Sequence, residues 1–244
     1  MKKYTIFFLM IGLIASCVPK QTTFIISDCE ALEALFSEPQ QNIRVILEPG
    51  EYHLTPEYFL DQTCGNCQDP NEAISATKGM TFSGKNVSII GPSDRSAVIH
   101  THAGYGIFIK DLQNGVLENL TITGTIRDTA QMATNAAIVV SNSDIVIRNN
   151  TIRDNLGDSL LISKHISGVM GICGRENSHI QIIGNQILRN SWDGIAFWDA
   201  GKGVPRACIS NNVVYNVGSC GISITLDHVE YQSRNQMKRP SPAA

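Results

Sequence analysis

Short runs of Val, Ile and Leu, each bounded by Asn, Gly or Asp, recur along most of this chain. The recurring phrase reads Glu118-Asn119-Leu120-Thr121-Ile122, then Asn149-Asn150-Thr151-Ile152, Gly184-Asn185-Gln186-Ile187 and Asn211-Asn212-Val213-Val214. Asn119, Asn150, Asn185 and Asn212 are 31, 35 and 27 residues apart. A loose repeat of this length marks a solenoid, in which each unit buries its apolar face by stacking on the next. The expected strands pair Val87–Ile90 with Val98–Ile99, Ile107–Ile109 with Val116–Ile122, and Ala137–Val140 with Ile145–Ile152. They continue as Val169–Cys173 with Ile180–Ile187, Ile195–Trp198 with Ala207–Val214, and Ile222–Leu226. Such segments are too short for amphipathic helices, and β-branched residues dominate them. Parallel strands joined by brief turns exclude βαβ crossovers, which need a dozen or more residues. The expected fold is therefore all-β, a single coil of about six turns. For the recurring Asn two readings stand, an internal ladder of stacked amides or a marker of turns.

The ends of the repeat carry their own signals. Thr22 to Ile26 reads as a short strand, and Ser27-Asp28-Cys29-Glu30 as a capping box before Leu32, Leu35 and Phe36 at helical spacing. Residues 22–38 are thus expected to cover the open N-terminal end. Ile43 to Leu47, a turn at Glu48-Pro49-Gly50, and Tyr52 with Leu54 predict the first rung. Residues 55–79 lack periodicity and read as an inserted loop within a domain spanning 22–228. Residues 229–244 read as a polar tail without an apolar stripe, so the last coil is expected to associate through its unpaired edge.

Composition adds exclusions. The 244 residues are 43% hydrophobic and 17% charged, enough to bury a sizeable core. Formal net charge is −3; setting aside Lys2 and Lys3, 17 of the 19 basic residues face 22 acidic ones, a balance of −5. Such a balance supplies no electrostatic footprint for nucleic acid. Lys2-Lys3, the apolar run Tyr4 to Ile14 and Ile14-Ala15-Ser16-Cys17 resemble a bacterial lipoprotein signal over residues 1–16, with Cys17 lipidated and 17–21 a linker. The apolar run is shorter than a membrane span needs. Val18 after the Cys implies, by resemblance to proteobacterial sorting, delivery to the outer membrane or cell surface. Cys29, Cys64, Cys67, Cys173, Cys208 and Cys220 are an even set compatible with disulfides of undetermined pairing. Cys64-Gly-Asn-Cys67 reads as a loop staple rather than a redox or zinc motif.

The Asn-x-Ile and Gly-Ile rungs, the Pro49-Gly-x-Tyr52 turn and Asn86-Val-Ser-Ile-Ile-Gly91 resemble the right-handed parallel β-helix of the pectin-lyase-like superfold. The resemblance covers residues 22–226. Its members include polysaccharide lyases, glycoside hydrolases, uronate epimerases and proteins without known activity, so it implies a fold rather than a reaction. The motifs of the better-known enzymes are absent, and Asp227-His228 matches a pectate-lyase calcium motif at two residues only.

Chemistry is expected on the polar turns after the Asn strands. Arg153-Asp154-Asn155-Leu-Gly-Asp158 and Arg189-Asn190-Ser-Trp192-Asp193 occupy equivalent places, and rungs about 4.8 Å apart would set Asp158 beside Asp193. A carboxylate pair serves glycoside cleavage or holds Ca²⁺. Arg153 and Arg189 suit a uronate carboxylate, with Trp192 and Trp198 as flat faces for a sugar ring. The bland alternative is that Asp caps turns and Arg covers apolar surface. The alignment requires Leu160-Leu161-Ile162 to be the strand equivalent to Ile195–Trp198; if Val169–Cys173 takes that place, Lys164 and His165 belong to a loop. A second turn column, Arg175-Glu176, Asp199, Lys202 and Arg206, reads as an exposed charged rim. His100-Thr-His102 sets two imidazoles on one strand face without a third ligand, and no metal is assigned to them. Two functions follow, an exported module that binds and in a stronger form cleaves or modifies a polysaccharide, or a surface scaffold without activity.

Overall fold

The computed structural model describes residues 21–63, 71–130, 132–165, 167–198, 202–224 and 233–238. The leader, Cys17, Cys64, Cys67, Asp199 and Asp227-His228 lie outside the described residues. Among the described residues no helix is long and apolar enough to cross a membrane.

The observed architecture is the expected right-handed parallel β-helix, built of three columns of strands. The first column stacks β1 (Thr22–Ile26), β2 (Gln40–Leu47), the end of β5 (Ile74–Ile90), the end of β7 (Tyr105–Glu118), β10 (Asp144–Arg148), β13 (His179–Ile183) and the start of β16 (Arg206–Tyr215). The second stacks β3 (Gly50–His53), β6 (Ala97–His100), β8 (Thr121–Thr123), β11 (Thr151–Arg153), β14 (Gln186–Leu188) and the end of β16. The third stacks the middle of β5, the start of β7, β9 (Ala136–Ser141), β12 (Met170–Arg175), β15 (Ile195–Phe197) and β17 (Ile222–Ile224). The described strands make six complete coils.

Period-two alternation turns every second residue inward, and stacking sets like on like. Val45, Ile89, Leu117, Ile147, Ile182 and Ile209 form one such row in the first column, each fully buried. Full burial of each contributes on the order of 1.5–3 kcal/mol. Tyr52, Ile99, Ile122, Ile152, Ile187 and Val214 form the matching row of the second.

The corners explain why Asn recurs. Asn119, Asn149, Gly184 and Asn211 stack at one corner with φ between 57° and 67°, the left-handed region that Asn and Gly tolerate best. The residue after each points inward. The Oδ1 of Asn185 accepts from Asn150 N at 2.9 Å and Asn150 Nδ2 at 3.1 Å, and that of Asn212 from Asn185 N and Nδ2 at 2.9 Å each. Both readings of Asn therefore hold, at adjacent positions. Asn119 belongs to the turn row, and Leu120 takes its place inside, its N–H donating to Asn150 Oδ1 at 2.9 Å. A second buried ladder runs from Asn155 Nδ2 to Asn190 Oδ1 at 2.8 Å. Where β5 turns from the third column into the first, Gly84 (φ 117°) would place a Cβ against the Gln40 carbonyl, so only glycine fits.

Several expectations are corrected. The helix α1 (Cys29–Leu35) is capped by Asp28, whose Oδ1 accepts from Ala31 N at 2.8 Å, rather than by a box at Ser27; Leu32 and Phe36 do seal the end. The described parts of residues 55–79 are not an aperiodic loop: β4 (Glu57–Asp61) runs antiparallel to β5, from Glu57 opposite Lys78 to Asp61 opposite Ile74. This hairpin brings Phe59, Ile74 and Ala76 onto the outer face of the third column, where Tyr105, Phe108, Val139, Met170 and Cys173 are buried. Polar residues Ser233–Lys238 of the tail form β18, parallel to β16, because pairing satisfies backbone groups whatever the side chains. Cys29, Cys173, Cys208 and Cys220 are free thiols.

Candidate functional site

The structure resolves the register question against the carboxylate pair. β12 pairs with β15, Ile172 opposite Ile195, so Val169–Cys173 is the equivalent strand. Leu160-Leu161-Ile162 lies instead in helix α2 (Ser159–His165), which also contains Lys164 and His165. Asp158 caps this helix, its Oδ1 accepting from Leu160 N at 2.7 Å, and is exposed. Asp193 is buried one coil on, its backbone carbonyl bonded to Gly171 N and its Oδ1 accepting from Cys220 N at 2.8 Å. With α2 intervening, Asp158 and Asp193 do not stack, and a Ca²⁺ site or an acid/base pair no longer rests on them.

The remaining predicted residues are drawn into structural bonds. Asp154 and Arg189 stack at the second corner, and Arg189 Nε and Nη2 donate to the Asp154 carboxylate at 2.5 and 2.8 Å. Arg153 Nη1 donates to Asp154 Oδ2 at 2.6 Å. Hydrogen bonding from Arg189, chiefly, holds the Asp154 carboxyl below the usual range and raises Arg189 in turn. Trp192 and Trp198 are half-buried and pack against the apolar outer face of the third column.

Of the second turn column, expected as an exposed rim, Lys202 and Arg206 are exposed, but Arg175 and Glu176 are not. Arg175 is fully buried and Glu176 is 4% exposed. The Arg175 Nη2 lies 2.8 Å from Asp61 Oδ2, on the hairpin, and its Nη1 donates to Thr134 Oγ1 at 2.8 Å and Thr63 O at 3.1 Å. The guanidinium also sits 5.7 Å from the centroid of the Tyr105 ring, whose hydroxyl donates to Asp61 Oδ2 at 2.8 Å and accepts from Thr134 N. Burial opposes the charge of Arg175, but Tyr105, Glu176 and Asp61 outweigh it, and its pKa is raised. Burial likewise pushes the Tyr105 phenol up. Arg175 Nε and Glu176 Oε1 are 3.3 Å apart, an electrostatic contact without hydrogen-bond geometry, so Arg175 Nε and both Glu176 oxygens lack a hydrogen bond.

Glu176 is strained as well as buried. It stacks on Asp111 and Asn142 at the third corner, all three in the left-handed region at φ 47–52°. Asp and Asn suit that conformation and Glu does not. This column lines a cleft of about 320 Å³ together with Lys110, Lys202, Asn177 and Phe108. The cleft offers the exposed Asp111 carboxylate, ammonium donors and amides. Sequence patterning missed it because Glu176 and Arg175 read as exposed charges and Asp61 fell in an aperiodic stretch. The one legible signal was a Glu standing where the other coils carry Asp or Asn.

In three dimensions the chain is similar to the solved pectate lyase Pel9A, with a TM-score of 0.43 and 13% identity over 82% of this chain and 55% of that one. It is similar to PfbA, a surface adhesin of Streptococcus pneumoniae, with a TM-score of 0.43 and 12% identity over 90% and 65%. For the PL6 family alginate lyase AlyGC the TM-score is 0.35, with 12% identity over 91% and 40%. The chain thus spans from 40% to 65% of the length of these structures. No curated protein matches it in sequence. A family model described as protein of unknown function (DUF1565) matches residues 63–232.

Proposed function

Since the chain belongs to the DUF1565 family, which carries no reaction with it, we propose a function from the site: the protein is a polysaccharide-binding module whose cleft lies at the third corner. One observation carries this reading, the grouping of Asp111 and Asn142 with Lys110 and Lys202 around one cleft. Carboxylates and amides accept from sugar hydroxyls, lysines donate to them or to a uronate carboxylate, and a solenoid side accommodates an extended polymer. Binding is favoured over cleavage because both anticipated carboxylates serve backbone amides, Asp158 that of Leu160 and Asp193 that of Cys220.

The same proposal includes export and anchoring through an acylated Cys17 in the outer membrane, supported by the leader pattern of residues 1–17. It also includes association of copies through the last coil, which loss of residues 229–244, β18 among them, would alter in light scattering.

The deciding experiment is a panel of acidic and neutral polysaccharides against the full chain in detergent, with and without Ca²⁺, reading binding and product together. Saturable binding weakened about tenfold by Lys202→Ala, and likewise by Asp111→Ala, is expected. Product formation lost in Asp193→Asn would replace the binding reading with an enzyme. A silent panel would leave the scaffold reading in its place.

A further inference from the structure

We propose that His53, His100 and His102 bind a first-row divalent transition-metal ion on the outer surface of the first two coils. Sequence spacing joins only His100 and His102. Coiling brings the third, because β3 pairs with β6 with His53 directly opposite His100. The His53 and His100 rings stack with centroids 4.3 Å apart, and His53 and His102 at 5.5 Å. One ring nitrogen from each of the three lies within 4.8 Å of the other two.

These distances approach ligation. Imidazole nitrogens at about 2.0–2.1 Å from a tetrahedral ion stand roughly 3.3 Å apart, and His53 Nδ1 is already 3.2 Å from His102 Nε2. Completing the set requires the His100 ring to leave its parallel stack, since a ring binds an ion in its own plane. The ring turns about χ2, and the exposed Glu51 carboxylate, His53 and His102 are able to follow it. His102 is held at φ 51°, a backbone conformation a histidine rarely adopts.

A supporting contact is also present. His100 Nε2 bonds the Glu51 carboxylate at 2.5 Å, which leaves Nδ1 of that ring for the ion. A carboxylate behind a ligating imidazole fixes its tautomer and strengthens it as a donor. Three imidazole nitrogens without a carboxylate in the donor set select Zn²⁺, Cu²⁺ or Ni²⁺ over Ca²⁺ or Mg²⁺. Three protein ligands leave a fourth position for water or an outside ligand. Joined to both β3 and β6, the ion would also clip the first coil to the second. The site is independent of the cleft at the third corner.

The test is titration of the full chain, free of any polyhistidine tag, with ZnCl₂ in competition with a chromophoric chelator. One equivalent is expected to bind, and His53→Ala, His100→Ala and His102→Ala each to weaken it at least tenfold. Glu51→Gln should weaken it about tenfold, in line with other supporting carboxylates, while the distant Glu118→Gln leaves it unchanged. Co²⁺ substitution gives a second readout, visible absorption bands of a low-coordinate ion that vanish in His100→Ala. Circular dichroism of each variant checks folding, and His→Asn versions replace any that unfolds. Absence of saturable uptake, or uptake that persists in the folded triple His→Ala variant, overturns the proposal.

Discussion

Arg189 grips Asp154 of the preceding coil through two nitrogens, Nε at 2.5 Å and Nη2 at 2.8 Å, and Arg153 adds a third bond at 2.6 Å. The cluster was anticipated as a uronate-binding face and is instead satisfied internally. Its pH dependence follows from the depressed pKa of Asp154, caused first by the Arg189 bond. A carboxyl whose folded pKa lies below its unfolded value contributes stability above the unfolded pKa, about 3.9, and loses it as pH falls through the folded value. Arg189 is 45% exposed, so the contribution at neutral pH is limited to about 1 kcal/mol or less. Asp154→Asn should therefore lower stability slightly at pH 7, and the difference should vanish well below pH 3.9. Denaturant melts of both proteins across pH read this directly; a difference that persists in acid would mean that the ion pair is not its source.

The two Asn rows make opposite predictions. At Asn149 the side chain serves a left-handed turn, so Asn149→Gly should be near neutral. At Asn185 the amide accepts from Asn150 and donates to Asn212 Oδ1 and to Ile147 O at 2.9 Å each. Asn185→Gly strands several buried groups, and each unsatisfied group costs about 1–3 kcal/mol. Chemical denaturation should show Asn185→Gly destabilised by at least about 2 kcal/mol on that account. Equal effects at both positions would erase the distinction between ladder and turn.

The sequence made these columns legible because their cause is local. Alternating Val and Ile report an inward face, and Asn or Gly reports a left-handed corner, each through its own stereochemistry. Which Asn of the Asn149-Asn150 pair enters the core depends on where the strand begins, and Asn119 shows that one residue of ambiguity suffices to misplace it. The cleft and the histidine cluster escaped because both depend on distant pairing. His53 meets His102 across 49 residues, and Arg175 meets Thr63 across 112. Asp158 was misplaced for a related reason: an apolar triplet fits a strand or a helix equally, and only stacking shows that α2 intervenes.

Arg175, fully buried, ties β12 to the β4–β5 hairpin through Asp61. Its removal alone leaves Asp61 and Glu176, both nearly inaccessible, without their counter-charge. Breaking a buried pair from one side typically costs about 3–5 kcal/mol, whereas replacing the whole set by neutral groups is far cheaper. Arg175→Met is thus expected to destabilise the fold by roughly that amount. Adding Asp61→Asn and Glu176→Gln should recover a large part of the loss, a non-additivity that only coupled groups show. Glu176→Asn by itself relieves a left-handed acid but takes one of two counter-charges from Arg175, Asp61 remaining, so it should cost less than Arg175→Met. Measured by denaturation, a triple variant no more stable than Arg175→Met would show that the hairpin is held by its apolar contacts, Phe59 on Tyr105 and Phe108, and not by charge.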